Sequence, residues 1–577
     1  MDYTIKIGGE AGQGIQTIGD ALGRVFTRAG YHVFSNQDYE SRVRGGHNFY
    51  QIRISDRPLA APHEKVDLLV ALDAESISRH EKELSGRGLA IFDSSALKLN
   101  RESPLFFDVP FEKLATEHGG SRIMANTVAT GAVLGMLGME LTLLLELITE
   151  TFKKKGDEAV LANKNSAQAG HEYGVRNSAK HSIPAPAAGV KRRMLLGGVE
   201  AIALGALASG CKFYAAYPMT PSTGIMNYLA AKEKEYGVVV EQAEDEVAAI
   251  NMALGASFAG ARAMTGTSGG GFALMVEGLS LAGMTETPIV IAMGQRPGPA
   301  TGFPTRTEQG ELQFLMSAGH GEFPRVILAP GTPRQAFHLT NKAFDLAEKY
   351  QIPVFILYDT YLADSQWTYD GLDVSKLRYT DYRLRGEAFK NLPSYKRYAF
   401  TDTGVTPLGV PGDADHVVVT DSDEHDEEGH IVEDAATRIN MVDKRLFRKL
   451  PLIEQEIAPP ILYGDHKPRV VIAGWGSTYG VMKEAVDEAA KTTSIAMLHF
   501  SEVFPLPRRD RFDYLKSLQN AKLAICVENN ATGQFARLMR AETGFEFSGH
   551  IHKFDGRPFT VEELVREISA ECNEKIP

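Results

Sequence analysis

Between residues 191 and 364 the chain repeats one pattern: a short apolar run, a turn, then apolar positions at helical spacing. Strand candidates at 213–216, 238–241, 262–265, 289–293, 325–328 and 354–358 each precede such a helix. Alternation of this kind favours a parallel or mixed sheet with helices on its faces, which is the α/β class. The pattern also opens the chain, with strands at 3–7, 67–71 and 89–92 and helical stretches through about residue 155. It returns at the end, with strands at 470–473, 495–500 and 522–527.

A length of 577 residues is room for about four domains. The expected division is an α/β domain over 1–180, a second over 190–368, a polar excursion over 369–465 and a third α/β domain over 466–577. Residues 163–188, rich in Ala, Ser, Asn and Pro and lacking an apolar period, read as a linker. The excursion carries the acidic run Asp421-Ser422-Asp423-Glu424-His425-Asp426-Glu427-Glu428. So long a structureless stretch is unusual inside a compact domain, so it is expected to wrap a neighbour. His425 and His430 fit no common metal-ligand spacing, which leaves a solvated or subunit-facing loop as the reading of the run.

The formal charge of -12 and a pI near 5.8 argue against a broad nucleic-acid or anionic-membrane surface, because phosphate binding needs extensive clustered Lys and Arg. Cys211, Cys526 and Cys572 are too few and too scattered for a four-thiolate cluster or a CxxC zinc site. The first residues lack the charged and apolar regions of a leader, and no window is apolar over about 18 residues. The expectation is a soluble cytoplasmic protein that works with proteins and small molecules.

Chemistry enters at Tyr217-Pro218-Met219-Thr220-Pro221-Ser222-Thr223. Two prolines that forbid helix hold the Thr220 hydroxyl at a strand end, where it can be aimed with little ordering on binding. A rigid connector would use the same residue types. Downstream, Glu244-Asp245-Glu246 opens a helix of small residues; acidic residues in a first turn also serve simply to complement the helix dipole. Glu246 adjoins the buried-looking part of that helix, where a carboxyl can stay protonated. A carboxyl that exchanges a proton with a ring nitrogen is what thiamine diphosphate requires to activate its own C2.

From about Met194 to Asp364 the chain resembles the pyrimidine-binding domain of the alpha subunit of 2-oxoacid:ferredoxin oxidoreductases. The resemblance rests on the YPMTPST string, on Glu244 to Ile250, on Thr265-Gly266-Thr267-Ser268-Gly269-Gly270-Gly271-Phe272 and on Gly294-Gln295-Arg296-Pro297-Gly298-Pro299-Ala300-Thr301-Gly302, in that order. The first 180 or so residues resemble that family's gamma subunit, through Gly9 to Gly14 and Ser41-Arg42-Val43-Arg44-Gly45-Gly46-His47-Asn48. Residues 469–543 resemble a transketolase C-terminal-like domain, through Val527-Glu528-Asn529-Asn530-Ala531-Thr532-Gly533-Gln534.

The resemblance implies that Glu246, with Tyr217 and Pro218, meets the aminopyrimidine and that Thr220 meets the 2-oxoacid. It implies that Arg296 or Arg306, the latter in Thr305-Arg306-Thr307-Glu308-Gln309, pairs with the substrate carboxylate. Coenzyme A is implied as co-substrate, with Arg42, Arg44 and His47 meeting its phosphates. No Gly-Asp-Gly string with a following Asn holds the diphosphate through magnesium, and Asp370-Gly371 lacks the preceding glycine. Mg2+ and a [4Fe-4S] cluster are therefore expected on a beta subunit, in a dimer of alpha-beta heterodimers that passes electrons to ferredoxin. The substrate implied is 2-oxoglutarate, with pyruvate or a range of 2-oxoacids as the alternative, and a non-catalytic nucleotide-binding assembly subunit as a different class. The spacing Gly9-x-x-Gly12-x-Gly14 departs from GxGxxG and does not favour NAD. His320 is either a proton relay or a helix-terminal residue.

Overall fold

The computed structural model describes residues 1–41, 45–176, 182–185 and 193–575. Two compact units emerge. One contains Met1–Leu196, Asp364–Leu372 and Thr560–Glu562; the other contains Gly197–Ala363, Asp373–Phe559 and Glu563–Pro577.

In the first unit the strand Asp2–Ala11 lies mid-sheet, parallel to Val66–Ala71 and antiparallel to Gly45–Ser55. Leu84–Phe92 and Phe106–Asp108 extend the parallel side, and His32–Asp38 with Gln366–Tyr369 the antiparallel side. The opening strand runs through Gly8 and Gly9 to Ala11, so the glycine loop is shorter than the sequence implies. What remains is a tight turn into the helix Ile15–Ala29, with Gly12 at φ 95° and Gly14 at φ 82°, a region that favours glycine.

Residues 163–175, expected as linker, belong instead to the helix Asp157–Val175. It packs on Ala125–Met136 through glycines on both partners. A Cβ at Gly131 would stand 2.1 Å from the Ala167 carbonyl oxygen, and one at Gly170 2.1 Å from that of Val128. Backbone-to-backbone packing needs small residues, so this helix has none of the large apolar period by which helices are recognised. The remainder of the expected linker lies partly outside the described residues.

In the second unit a seven-stranded sheet follows the order Glu502–Phe504, Val326–Leu328, Pro353–Asp359, Ile289–Gln295, Ala263–Ser268, Phe213–Ala216 and Val239–Gln242. All its strands are parallel except Glu502–Phe504, which joins from the C-terminal region. A five-stranded sheet contains Ile461–Gly464, Ile495–Phe500, Val470–Trp475, Leu523–Glu528 and Gly549–His552. One apolar cluster, including Phe272, Ile291, Phe355, Trp475, Phe500 and Phe535, runs through both sheets.

The polar excursion is anchored to the unit it belongs to. It includes the helices Ala435–Val442 and Leu450–Glu456, separated by a wide helical turn over Asp443–Arg448. From this segment Lys444 and Lys449 reach the buried Glu286 carboxylate, with Lys444 Nζ at 2.5 Å. Arg383 pairs with Glu348 at 2.6 Å, both buried, and Arg397 donates to Gln351 Oε1 at 3.0 Å. The acidic run shares in this: Glu424 receives Arg445 at 2.7 Å, and His425 is buried against the Tyr398 ring. A polar segment can pack tightly when its charges find buried partners, which hydropathy alone does not reveal. Among the described residues no His, Cys, Asp and Glu group could hold a metal, and no helix is long and apolar enough to cross a membrane.

Candidate active site

The site forms where parallel strands of the second unit end at their carboxyl edge. After Phe213–Ala216 the chain turns at Met219, whose carbonyl accepts from the Ser222 amide and from Ser222 Oγ, both at 2.8 Å. The helix Thr223–Ala230 then begins. The Thr220–Pro221 peptide bond is cis. Pro221 lies against the next strand but one, and a Cβ at Gly294 would stand 2.7 Å from its ring, so glycine there is what admits it. Thr220 and Pro218 are half-buried, and Tyr217 stands at the open side, 40% exposed.

Asp245 is the N-cap of the helix Glu246–Phe258, accepting from the Ala248 amide at 2.7 Å. Capping is therefore done by Asp245, and Glu246 is left for another task. Its side chain is buried, 3% exposed, and its Oε1 has no hydrogen-bond partner among the described residues. The carboxyl lies over Gly271 in the first turn of the helix Gly269–Met284: a Cβ there would stand 2.3 Å from Glu246 Oε1 and 2.2 Å from Thr267 Oγ1. Thr267 Oγ1 in turn lies 4.0 Å from Met219 Sδ. The triglycine turn thus gathers Glu246, Thr267 and the proline-rich turn into one place.

Arg296 follows the strand Ile289–Gln295 and donates from Nη1 to the Thr220 carbonyl oxygen at 3.0 Å. Half-buried, it forms no ion pair among the described residues, and burial lowers its pKa below the ordinary value while Glu311 opposes that shift. Arg306 sits further along the loop, its Cβ 3.1 Å from where a Cβ at Gly556 would be. Arg296 is thus an arginine bonded at the turn itself.

Sequence reasoning missed Glu311. Its amide donates to Gln295 Oε1 at 3.1 Å, and its carboxyl stands against Gly269, with Oε1 2.3 Å from a Cβ built there. Burial, then the neighbouring Glu308, raise its pKa to about 7 against the pull of Arg296. Its only sequence signal is the Glu308-x-x-Glu311 spacing just after the arginines. The loop is held from below by Gln309, which donates to the Trp475 carbonyl at 2.8 Å and exchanges backbone and side-chain bonds with Asn529.

Arg42 and Arg44 lie outside the described residues. His47 is buried, with Nε2 2.8 Å from His80 Nε2; His80 Nδ1 lies 2.8 Å from Glu83, which pairs with Lys6. Burial, then the His80 ring, lower the His47 pKa below the ordinary histidine value. His320 is exposed and tied by its backbone to Ser280, in the body of the Gly269–Met284 helix and not at its glycine end.

Residues 204–444 match the family described as pyruvate flavodoxin/ferredoxin oxidoreductase, thiamine diphosphate-binding, and residues 4–173 match pyruvate ferredoxin/flavodoxin oxidoreductase. The class is thus a thiamine-diphosphate-binding α/β oxidoreductase. A 2-oxoacid:ferredoxin oxidoreductase subunit alpha from Sulfolobus sp is 34% identical over 98% of this chain and 96% of its own. A 2-oxoglutarate synthase subunit from Methanocaldococcus jannaschii is 32% identical over 64% of this chain and 98% of its own. The solved 2-oxoglutarate:ferredoxin oxidoreductase from Magnetococcus marinus, with 2-oxoglutarate, coenzyme A and succinyl-CoA bound, superposes with a TM-score of 0.89 at 29% identity, covering 99% of both chains. The chain belongs to the 2-oxoacid:ferredoxin oxidoreductase family, as an alpha subunit of that multisubunit enzyme.

Proposed function

We propose that this subunit, with its gamma-type region fused in front, takes part in coenzyme A-dependent oxidative decarboxylation of a 2-oxoacid, 2-oxoglutarate in the first place. The products are an acyl-coenzyme A and carbon dioxide, and two electrons pass to ferredoxin. A beta subunit supplies the diphosphate site, Mg2+ and a [4Fe-4S] cluster, in a dimer of heterodimers. The Magnetococcus marinus likeness supports the choice of 2-oxoglutarate.

The observation that carries the reading is the buried, unpartnered Oε1 of Glu246 above Gly271. A buried acceptor without a donor costs about 1–3 kcal/mol, and a donor on a ligand relieves that penalty. The ring nitrogen of an aminopyrimidine fits that requirement once it carries a proton and donates as N–H, and Gly271 leaves the carboxyl room to approach. Thiamine diphosphate, when bound, supplies the carbon nucleophile and electron sink. Glu246 holds and exchanges the proton at the ring nitrogen; Tyr217 and Pro218 line the open side; Thr220 Oγ1 faces the substrate carbonyl. Arg296 fixes the Thr220 backbone and, with no ion pair among the described residues, keeps its charge for the substrate carboxylate, with Arg306 as the second cation a dicarboxylate requires.

The test is the anaerobically purified complex with its beta subunit, assayed for viologen reduction that depends on both a 2-oxoacid and coenzyme A. Glu246→Gln is expected to lower turnover at least a hundredfold while the subunits still co-elute. Turnover near the wild-type rate would remove Glu246 from the mechanism.

A further inference from the structure

Two carboxyls flank one triglycine turn: Glu246 at Gly271 and Glu311 at Gly269. Gly270 between them is exposed and has open space above it, its nearest non-neighbouring atom for a built Cβ being the Ala300 carbonyl oxygen at 4.0 Å. The first carboxyl has the task given above; the second has none. Glu311 is tied by its amide to Gln295, the residue that precedes Arg296, so the carboxyl and the guanidinium hang from one short stretch of strand and loop. Arg296 spends one donor on a neutral carbonyl and, though it feels the Glu311 charge, forms no ion pair within 4.0 Å among the described residues.

We propose that Glu311 is a positioning residue for substrate entry, which must be protonated when the 2-oxoacid carboxylate settles on Arg296, so that anion binding takes up a proton. This rests on the functional reading above. The physical reason is charge balance. Arg296 can neutralise one carboxylate at close range, and an ionised Glu311 beside it would repel a second. The groups that face Glu311 are Arg296 beyond the end of the Ile289–Gln295 strand, Glu308 on its own loop and, without charge, Gly269 at the start of the Gly269–Met284 helix. Gln534, bonded to the Gly310 carbonyl and the Gln313 amide, is neutral. Burial and Glu308 already bring the carboxyl to about 7, and an arriving anion raises it further, so uptake falls within the range where enzymes work.

The probe is 2-hydroxyglutarate, which keeps the carboxylates and lacks the reactive carbonyl. Its binding to the intact alpha-beta complex is followed by calorimetry at pH 7.5 in two buffers of different ionisation enthalpy. The expected result is net uptake of a substantial fraction of a proton per site. Affinity should weaken by up to about tenfold per pH unit above 7.5 as the proton must be supplied. Glu311→Gln, which keeps shape and neutrality, is expected to abolish uptake and flatten both the affinity and the KM profile for 2-oxoglutarate, with kcat at pH 6.5 changed less than threefold. A wild-type complex that turns over 2-oxoglutarate and binds the probe without proton uptake overturns the proposal alone, as does a Glu311→Gln complex with unchanged uptake. A complex that binds neither probe nor 2-oxoglutarate overturns the functional reading and this proposal together.

Discussion

Gly271→Ala tests the geometry of the site with a single methyl group. The added carbon would stand 2.3 Å from Glu246 Oε1 and 2.2 Å from Thr267 Oγ1, against about 3.4 Å for ordinary contact. Either the carboxyl retreats by about 1 Å or the helix start moves by a similar amount. Forcing a methyl into a filled, buried place costs about 1–3 kcal/mol. A reacting group displaced by about 1 Å loses on the order of a hundredfold in rate. Gly270→Ala is the internal control for stability. It adds the same methyl one residue earlier, into open space, at a φ that an L-residue accepts, and should be neutral or stabilising by about 0.4–1 kcal/mol. The assay pairs thermal unfolding of both variants with single-turnover decarboxylation by the Gly271→Ala complex. Wild-type rate and wild-type melting in Gly271→Ala would mean that Glu246 does not rest on this glycine, and the reasoning about its placement fails with it.

Other consequences are less local. Glu286→Gln leaves Lys444 and Lys449 buried without their carboxylate and should destabilise the second unit by about 3–5 kcal/mol, read as the denaturant midpoint. Because the cationic neighbours hold the Glu286 pKa below its ordinary 4.5, its contribution is whole above about pH 4.5 and shrinks as pH falls toward the native value. Proteolysis within 369–465 should therefore quicken on acidification in wild type, and already be fast at pH 7 in the variant. Asp359, buried and raised to about 6, binds its proton more readily folded than unfolded, so its ionisation opposes folding as pH rises from 4 to 6 and beyond. Asp359→Asn should then melt at or above the wild-type temperature at pH 7.5, and a clear loss there would show that the ionised form is needed. Gly131→Ala should destabilise the first unit by about 2–3 kcal/mol, because its methyl would meet the Ala167 carbonyl at 2.1 Å. Gly23→Ala, whose methyl finds only Leu195 at 3.5 Å, should not.

What the sequence disclosed, and what it hid, follow from the kind of contact involved. Strands fully buried on both faces must be continuously apolar, so 213–216 and 495–500 coincide with the observed Phe213–Ala216 and Ile495–Phe500. Contacts made by absence of a side chain, as between Gly131 and Ala167, leave no apolar mark, and residues 163–175 read as linker though they are helix. Contacts between buried charges leave the opposite mark. Lys444, Lys449 and Glu424 look like a solvated surface until Glu286 and Arg445 are seen opposite them. The site shows the same division. Thr220 and Glu246 are legible because rigid backbone and a helix start leave local signatures. Glu311 is not, because its interest lies in Gly269 and Arg296, which reach it only through the fold.

One structural detail bears on the two readings that the acidic triplet allows. Helix capping needs one carboxylate at the cap position, and Asp245 occupies it, bonded to the Ala248 amide at 2.7 Å. Glu244 is exposed. Glu246 is then a third carboxyl that the helix does not need, buried and lacking a donor for Oε1 among the described residues. A stable fold gains nothing from such a group, and a Gln or Leu at 246 would satisfy the helix as well or better. A ligand that brings a donor to it, as proposed above, would account for its place. It follows that Glu246→Gln should leave the isolated subunit at least as stable as wild type while abolishing turnover in the complex. That opposition of stability and activity is what separates a reacting carboxyl from a structural one.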